Sequence, residues 1–432
     1  LSVLKERFSH KEICDPLLDR FLRYVKVHTT SDSSLAETRK PSTDIQFDLA
    51  KILVEELHQL GIEDVTLDEH CFVVAKIPAT KGYENVPSMA FISHMDTVED
   101  APGKDVKPQI HYNYDGSVIE VGNGVVIDPK VTTNLQTCVG DTIITSDGTT
   151  LLGADDKAGI ADIMTAIDVM LNVKPFPHGP VEVIFNTDEE TGNGTKFFPM
   201  DKVNSKIAYT VDGDLEGNYS IETFNAYSAE IELTGFCCHP GSGKGVLINA
   251  NSMAATFLSM LPENELPETT SEREGFYCVR AVKSSIDKAT ISMFMRDFDD
   301  EGMNKRKEKI IEIAKAVEAK YPGGKVDYKI SYQYSNMYKY IKENKKVSDF
   351  LVESIKRAGV VPIVEAIRGG TDGSELSRKG ILTPNIFTGG FNFHSLNEFA
   401  CLGQMYASVC TITELIKRWS EEIGRASCRE RV

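Results

Sequence analysis

Long apolar stretches are missing from this chain. No run approaches the roughly 20 residues that a membrane-spanning helix requires, so no membrane partner or span is expected. Lys5, Glu6, Arg7 and His10 interrupt the first residues, so no secretory signal is expected there, and a start at Leu1 instead of Met points to a trimmed N-terminus. Positive charge is also short. Lys+Arg number 47 against 64 Asp+Glu, a net charge of −17, which argues against nucleic acid or an anionic membrane as a partner. Nine cysteines fall at irregular spacing with no Cys-x-x-Cys pair. An odd, unpatterned set excludes a disulfide frame and a thiolate zinc site, and suits the reduced thiols of a cytoplasmic protein. Internal repeats and low-complexity tracts are absent as well. The stretch 422–432 breaks the pattern of the preceding helix, resembles translated adapter sequence and is set aside as non-native.

What is present reads as an ordinary water-soluble protein, 41% hydrophobic and 26% charged. At 432 residues the chain exceeds one simple core, so two domains are expected. Apolar residues at helical spacing predict helices over 14–27, with Pro16 near the start, and over 43–60, stopped by Gly61. Strands are predicted at 65–67, 72–77, 88–93, 181–185 and 207–211, with a helix from 153 to about 173 between the third and fourth. The segment 100–148, rich in Gly, Asp, Asn and Thr, reads as a loop carrying short strands. Alternating strand and helix is the α/β signature. After about Phe224 the texture changes: half-exposed strands at 229–233 and 290–294 and helices at 248–260 and 302–320 predict a small α+β insert. The α/β texture returns with helix 347–357, strand 361–366, a helix start at 371–376, strand 385–387 and a last helix over 403–419. The boundaries are thus 1–223 and 336–421 for the larger domain, and 224–335 for the insert.

Chemistry gathers at strand ends. The hydrophobic run 181–185 is followed closely by Asp188, Glu189 and Glu190, where an α/β fold places its reactive groups. Two adjacent acids there repel each other unless a cation intervenes, with one carboxylate on the metal and the other free to handle a proton. His94 and Asp96, two positions apart, suit a histidine ligand backed by an orienting carboxylate. Asp155 lies at the mouth of a helix, where the helix dipole favours negative charge and a carboxylate can bridge two cations. Asp212 ends its strand, and His394 follows the Gly389-Gly390 pair, whose glycines allow close backbone approach. Each alone is weak, since strand-end acids are usually solvated. Together the two imidazoles and the acids match ligation of zinc, manganese or cobalt. Cys237 and Cys238 beside His239 raise thiol catalysis as a rival; plain structural thiols are the better reading, because no activating motif accompanies them.

The segments Phe91-Ile92-Ser93-His94-Met95-Asp96-Thr97, Leu151-Leu152-Gly153-Ala154-Asp155-Asp156-Lys157, Asp188-Glu189-Glu190, Tyr209-Thr210-Val211-Asp212-Gly213 and Phe387-Thr388-Gly389-Gly390-Phe391-Asn392-Phe393-His394 resemble the co-catalytic zinc peptidases related to aminoacylase and carboxypeptidase G. The resemblance runs from residue 14 to about 420. It implies a catalytic domain with a mixed central sheet flanked by helices, plus an inserted lid. It further implies two divalent metals, zinc favoured: one held by His94, Asp155 and Asp212, the other by Asp155, Glu190 and His394. By the same resemblance Glu189 is the general base and Asp96 the acid behind His94. In the lid, His239 would stabilise the oxyanion and Arg296 would bind the peptide backbone or carboxylate. A lid salt bridge with Asp297 or Asp299 is the alternative for Arg296. Arg368 is a candidate for substrate contact or for positioning the glycine loop. The stretch 396–399 and Asp214 depart from the family pattern, and 396–399 is expected to alter the pocket rim. The implied activity is removal of the N-terminal residue from tripeptides, with short peptides as partners and a homodimer allowed. A carboxypeptidase or N-acyl amino acid deacylase on the same scaffold, or a non-catalytic metal-binding protein, are the rivals.

Overall fold

The computed structural model describes residues 2–422, with side chains from Glu6 onward; most of the tail expected to be non-native lies outside them. The chain divides into two compact units. The first comprises residues up to Ile221, Tyr340–Glu365 and the part from Leu376 onward; the second comprises Glu222–Lys339 and Ala366–Glu375.

An eight-stranded sheet forms the centre of the first unit, in the order Asp64–Leu67, Val73–Ile77, Val181–Asn186, Met89–His94, Ile207–Gly213, Asn385–Phe387, Asn218–Ser220, Ile363–Val364. The strands Val181–Asn186, Met89–His94, Ile207–Gly213 and Asn385–Phe387 run parallel to their neighbours in this set. Val73–Ile77 is antiparallel to Val181–Asn186, so the sheet is mixed. Every residue of Met89–His94 and Val181–Asn186 is buried. That double-faced burial is why both read as mostly apolar runs, Glu182 being the exception within the second, and not as alternating ones. Parallel direction brings the ends at His94, Asn186 and Asp212 to one edge, where ligands of open α/β sheets bind.

One face of the sheet is covered by the helices Lys11–Tyr24, Ala154–Asp168, Lys345–Arg357 and Leu402–Ser420, whose apolar sides join a single core. Leu17, Phe21, Ile163, Phe185 and Leu415 are fully buried in it, each contributing about 1.5–3 kcal/mol of hydrophobic stabilisation. The helix Gln46–Gln59 closes one side. Arg20 ties three helices together: it donates to Glu56 at 2.6 Å and to Asp168 at 2.8 Å. The other face carries Phe72, Val74, Ile92 and Ile184 against Phe198, Leu376 and Ile381. No described helix is long and apolar enough to cross a membrane.

One local expectation shifts, and the short strands expected in 100–148 are present. The helix predicted from 14 starts at Lys11, leaving Pro16 inside it, and a short helix Ser2–Ser9 precedes it. The segment 100–148 contributes two strands, Gln109–His111 and Ile143–Thr145, to a four-stranded sheet with Gly390–Phe391 and Phe399–Cys401. His394 therefore sits in the turn between two paired strands.

The second unit is a four-stranded antiparallel sheet in the order Phe276–Ser284, Lys288–Asp297, Asn225–Thr234, Lys325–Tyr334. Alternate residues of Lys288–Asp297 are buried and pack with the helices Ala250–Ser259 and Asp300–Lys320 into a separate core. Sequence periodicity reveals its two central strands and both helices. The edge strands Phe276–Ser284 and Lys325–Tyr334 were not expected; both are mostly solvated, although the second alternates Val326, Tyr328, Ile330, Tyr332 and Tyr334 with polar residues, a strand signal missing from the expectations above.

Candidate metal centre

The first unit gathers His94, Asp155, Glu190, Asp212 and His394. Gly153 adopts a left-handed φ of 82° before the helix Ala154–Asp168, and Asp155 itself is non-helical, so it stands in the entry turn with its carboxylate clear of the helix ladder. Its two oxygens face different imidazoles: Oδ1 lies 2.9 Å from His94 Nε2 and Oδ2 lies 3.2 Å from His394 Nε2. Asp212 Oδ1 is 3.7 Å from His94 Nε2, and Glu190 Oε2 is 3.1 Å from His394 Nε2. Donor atoms of His94, Asp155 and Glu190 all fall within 4.8 Å of one another.

Asp156 forms a similar group with His94 and Asp212. Its Oδ2, however, accepts from Ser93 Oγ and the His94 N–H, which ties it to the strand. Asp155 is the carboxylate placed between the two rings.

Electrostatics shows how much charge this geometry concentrates. Burial opposes ionisation of Asp155, yet the two imidazoles hold it far below the usual carboxylate range. His394, hydrogen-bonded to Asp155 and Glu190, is pushed up to about 11. His94 is raised as well: burial works against its charge, but Asp212, Asp155 and Asp96 outweigh it. Burial and repulsion from Asp155 push Glu190 upward. Carboxylates packed this closely around two imidazoles form a cluster of negative charge that a divalent cation would neutralise. Glu190 Oε1 is buried with no hydrogen-bond partner, an acceptor that a cation would satisfy. The donor set, imidazole nitrogen and carboxylate oxygen, suits zinc, manganese or cobalt.

The surrounding groups fix these donors. His94 Nδ1 donates to the Asp96 carbonyl at 3.0 Å and lies 3.4 Å from the Asp96 carboxylate, which leaves the Nε2 lone pair for a metal. The Asp96 carboxylate, fully buried, also accepts from the backbone N–H of Glu189 at 3.0 Å and of Glu190 at 3.2 Å. One side chain thus supports both the histidine and the Glu189–Glu190 turn.

Glu398 corrects the expectation for 396–399. It does not alter a rim: it is 1% exposed and accepts from the backbone N–H groups of Leu152, Gly153 and Asp155, bracing the entry turn from beneath. Burial, with Asp155 adding to it, pushes Glu398 up to about 7. Lys157 donates to the Val27 carbonyl at 2.7 Å, and burial lowers it to about 7. Neither role has a local sequence signal, because each partner is more than a hundred positions away.

The candidates in the second unit hold their own contacts. His239 Nδ1 accepts from the Gly241 N–H at 3.2 Å, which leaves Nε2–H as a donor. Arg296 lies over the rings of Phe294 and Tyr334, with centroids at 4.7 and 5.4 Å, and donates to Gln333 Oε1 and the Met295 carbonyl. Its alternative reading does not hold: Asp297 pairs with Arg306, and Asp299 caps the Gly302 N–H. Arg368 donates to the carbonyls of Glu272 and Glu274 and to Thr270 Oγ1, over the rings of Phe224 and Phe276. Those bonds tie Arg368 to the segment 270–274.

With fold and donor set in hand, comparison with known proteins defines the class. The chain belongs to peptidase family M20/M25/M40, whose model matches residues 148–418. Among individual relatives, it is 43% identical to peptidase T of Clostridium perfringens over 404 residues, covering 94% of this chain and 99% of the relative. It is 42% identical to peptidase T of Bacillus licheniformis over 407 residues, covering 94% and 98%. The fold is that of the aminopeptidase PepT of Bacillus cereus, with a TM-score of 0.75 at 24% identity over 94% of this chain and 98% of that one. A dinuclear metal-binding M20 peptidase of Bacillus subtilis aligns at a TM-score of 0.65 and 15% identity, covering 94% and 98%.

Proposed function

We propose that this peptidase is a dinuclear metallo-aminopeptidase that removes the N-terminal residue of tripeptides. The observation that carries the reading is the single carboxylate of Asp155 set between two imidazoles, one oxygen to each. A bridging carboxylate of that kind suits two cations roughly 3.5–4 Å apart. His94, Asp155 and Asp212 would hold one cation, and Asp155, Glu190 and His394 the other, with zinc favoured. When bound, the pair supplies a lowered water pKa and a polarised scissile carbonyl.

The protein's own groups do the rest. Glu189, whose backbone is held by Asp96, takes the proton from the attacking water and passes it to the leaving amine. His239 offers Nε2–H to the oxyanion, and Arg296 offers its guanidinium to the peptide. Arg368 holds the lid segment 270–274 in place. The likeness to peptidase T supports tripeptides as the substrate class. Free cysteines throughout the described residues support a cytoplasmic location.

The test is a pair of peptides given to the zinc-loaded protein: a free-amine tripeptide and its N-acetylated form. The expected result is cleavage of the first alone, abolished by a chelator and restored by zinc, manganese or cobalt. Equal cleavage of both, or preference for the acetylated peptide, would overturn the aminopeptidase reading in favour of a deacylase or carboxypeptidase.

A further inference from the structure

Three acids stand in a row at 188–190, and the first of them is neither metal ligand nor base. We propose that Asp188 is a positioning residue that aims Glu189, through a clamp supplied by Lys40, Ser42 and Gln46. The proposal rests on the reading of Glu189 as general base.

Asp188 is fully buried and adopts φ +59°, the left-handed region that side-chain-bearing residues rarely occupy. Such a conformation persists only where surrounding contacts over-determine it. Here they do. The Asp188 carboxylate accepts from the Ser42 N–H at 2.8 Å, from Ser42 Oγ at 2.5 Å and from Gln46 Nε2 at 2.8 Å. Gln46 is itself fully buried with Oε1 lacking a hydrogen-bond partner, a cost tolerated while Nε2 serves the clamp. Lys40 Nζ, 3.8 Å from Asp188 Oδ2, donates to the carbonyls of Thr187 at 2.6 Å and Asn193 at 2.8 Å. It therefore grips the turn on both sides of the acids. The turn also closes on itself, with the Asn193 N–H donating to the Asp188 carbonyl and the Gly192 N–H to the Glu189 carbonyl.

The Asp96 carboxylate holds the N–H groups of Glu189 and Glu190. Between Asp96 and the clamp, the backbone that launches the Glu189 side chain is fixed at both ends. A base must be held close to its productive geometry, and hydrogen bonds from the residues behind it are what hold it. The Asp188 carboxylate is taken up by Ser42 and Gln46, so its effect passes through the direction of the next residue.

The experiment uses the zinc-loaded full chain and a free-amine tripeptide. Asp188→Asn preserves shape and tolerates left-handed φ, but turns one acceptor into a donor facing Ser42. Gln46→Met removes a single donor and guards against a folding failure of the first variant. The expected result is a kcat at least tenfold lower in Asp188→Asn, with KM within twofold and both metals retained, and a smaller loss of the same kind in Gln46→Met. Wild-type kcat in both variants overturns the proposal. So does a fall in kcat that tracks metal loss, because the clamp would then serve Glu190 instead. Glu189→Gln is run alongside: turnover retained there overturns the base assignment itself, a failure distinct from that of the clamp.

Discussion

Replacing Gly159 by alanine sets two effects of opposite sign against each other. Gly159 lies inside the helix Ala154–Asp168, where alanine is intrinsically better by about 1 kcal/mol. Propensity alone therefore predicts a stabilised protein. Packing predicts the reverse. A Cβ on residue 159 would lie 1.9 Å from the Val211 carbonyl oxygen, 2.5 Å from Asp156 Oδ1 and 2.9 Å from Ser93 Oγ. An ordinary carbon–oxygen contact is about 3.3 Å, so the helix must retreat from the Val211 strand by about 1.4 Å (3.3 − 1.9). The nearest obstacle is backbone, which cannot swing aside. Overpacking costs about 1–3 kcal/mol where side chains can adjust, and the upper end applies here, so packing outweighs propensity. The net loss of about 2 kcal/mol, about 3 from packing less about 1 from propensity, lowers Tm by roughly 2–3 °C in a chain of this size. The same retreat carries Asp155 away from His94, and a misplacement of about 1 Å costs on the order of 100-fold in rate. Thermal unfolding and tripeptide kcat/KM measure both consequences. Gly61→Ala is the control: at φ +92° with nothing within 4 Å of its added Cβ, it is expected to lose about 1 kcal/mol and no activity. A Gly159→Ala protein as stable and active as the wild type would refute the packing argument.

Two further outcomes follow from buried groups away from the reacting atoms. Glu398→Gln keeps the side chain's shape but presents an N–H to one of the three backbone donors it braces; metal affinity is expected to fall about 10–100-fold by titration of the metal-free protein, and unchanged affinity would contradict the bracing role. Glu56→Ala strips Arg20 of its closest partner in the helix core and is expected to cost about 3 kcal/mol in denaturant unfolding. Burial opposes the charge of Glu56, but hydrogen bonds from Tyr24 and Arg20 hold it below its ordinary 4.5. Its stabilisation is therefore present above pH 4.5 and fades as pH falls through the lowered value, so the wild-type advantage over Glu56→Ala should shrink in acid; an advantage constant from pH 7 to pH 3 would contradict this linkage.

What the sequence discloses about this site, and what it hides, divides along a physical line. Metal-capable residues stand out because each interrupts a pattern: the apolar run 181–185 must end somewhere, and the acids after it are conspicuous against it. Helices such as Gln46–Gln59 and Leu402–Ser420 are readable for the same reason, since burial of one face writes a period into the sequence. The edge strand Lys325–Tyr334 was legible too, since Val326, Tyr328, Ile330, Tyr332 and Tyr334 alternate with polar residues, but Phe276–Ser284 writes no such period. The supporting groups write none either. Gln46 is a lone polar residue between Ile45 and Phe47 at the start of a helix, and Glu398 follows a turn rich in Asn and Ser; both look solvated until the fold buries them. Glu398 reaches Asp155 from 243 positions away, and Ser42 reaches Asp188 from 146. Such partners satisfy backbone N–H groups and carboxylates that the site's own loops leave exposed. The three consecutive acids show the consequence most sharply. The adjacent acids Glu189 and Glu190 suggest a division between proton and cation, which the family resemblance assigns to Glu189 and Glu190 respectively, but Asp188 is given no task. Its task, as proposed, appears only when residues 40–46 fold onto it, and then the acid with the least visible signal is the one that aims Glu189.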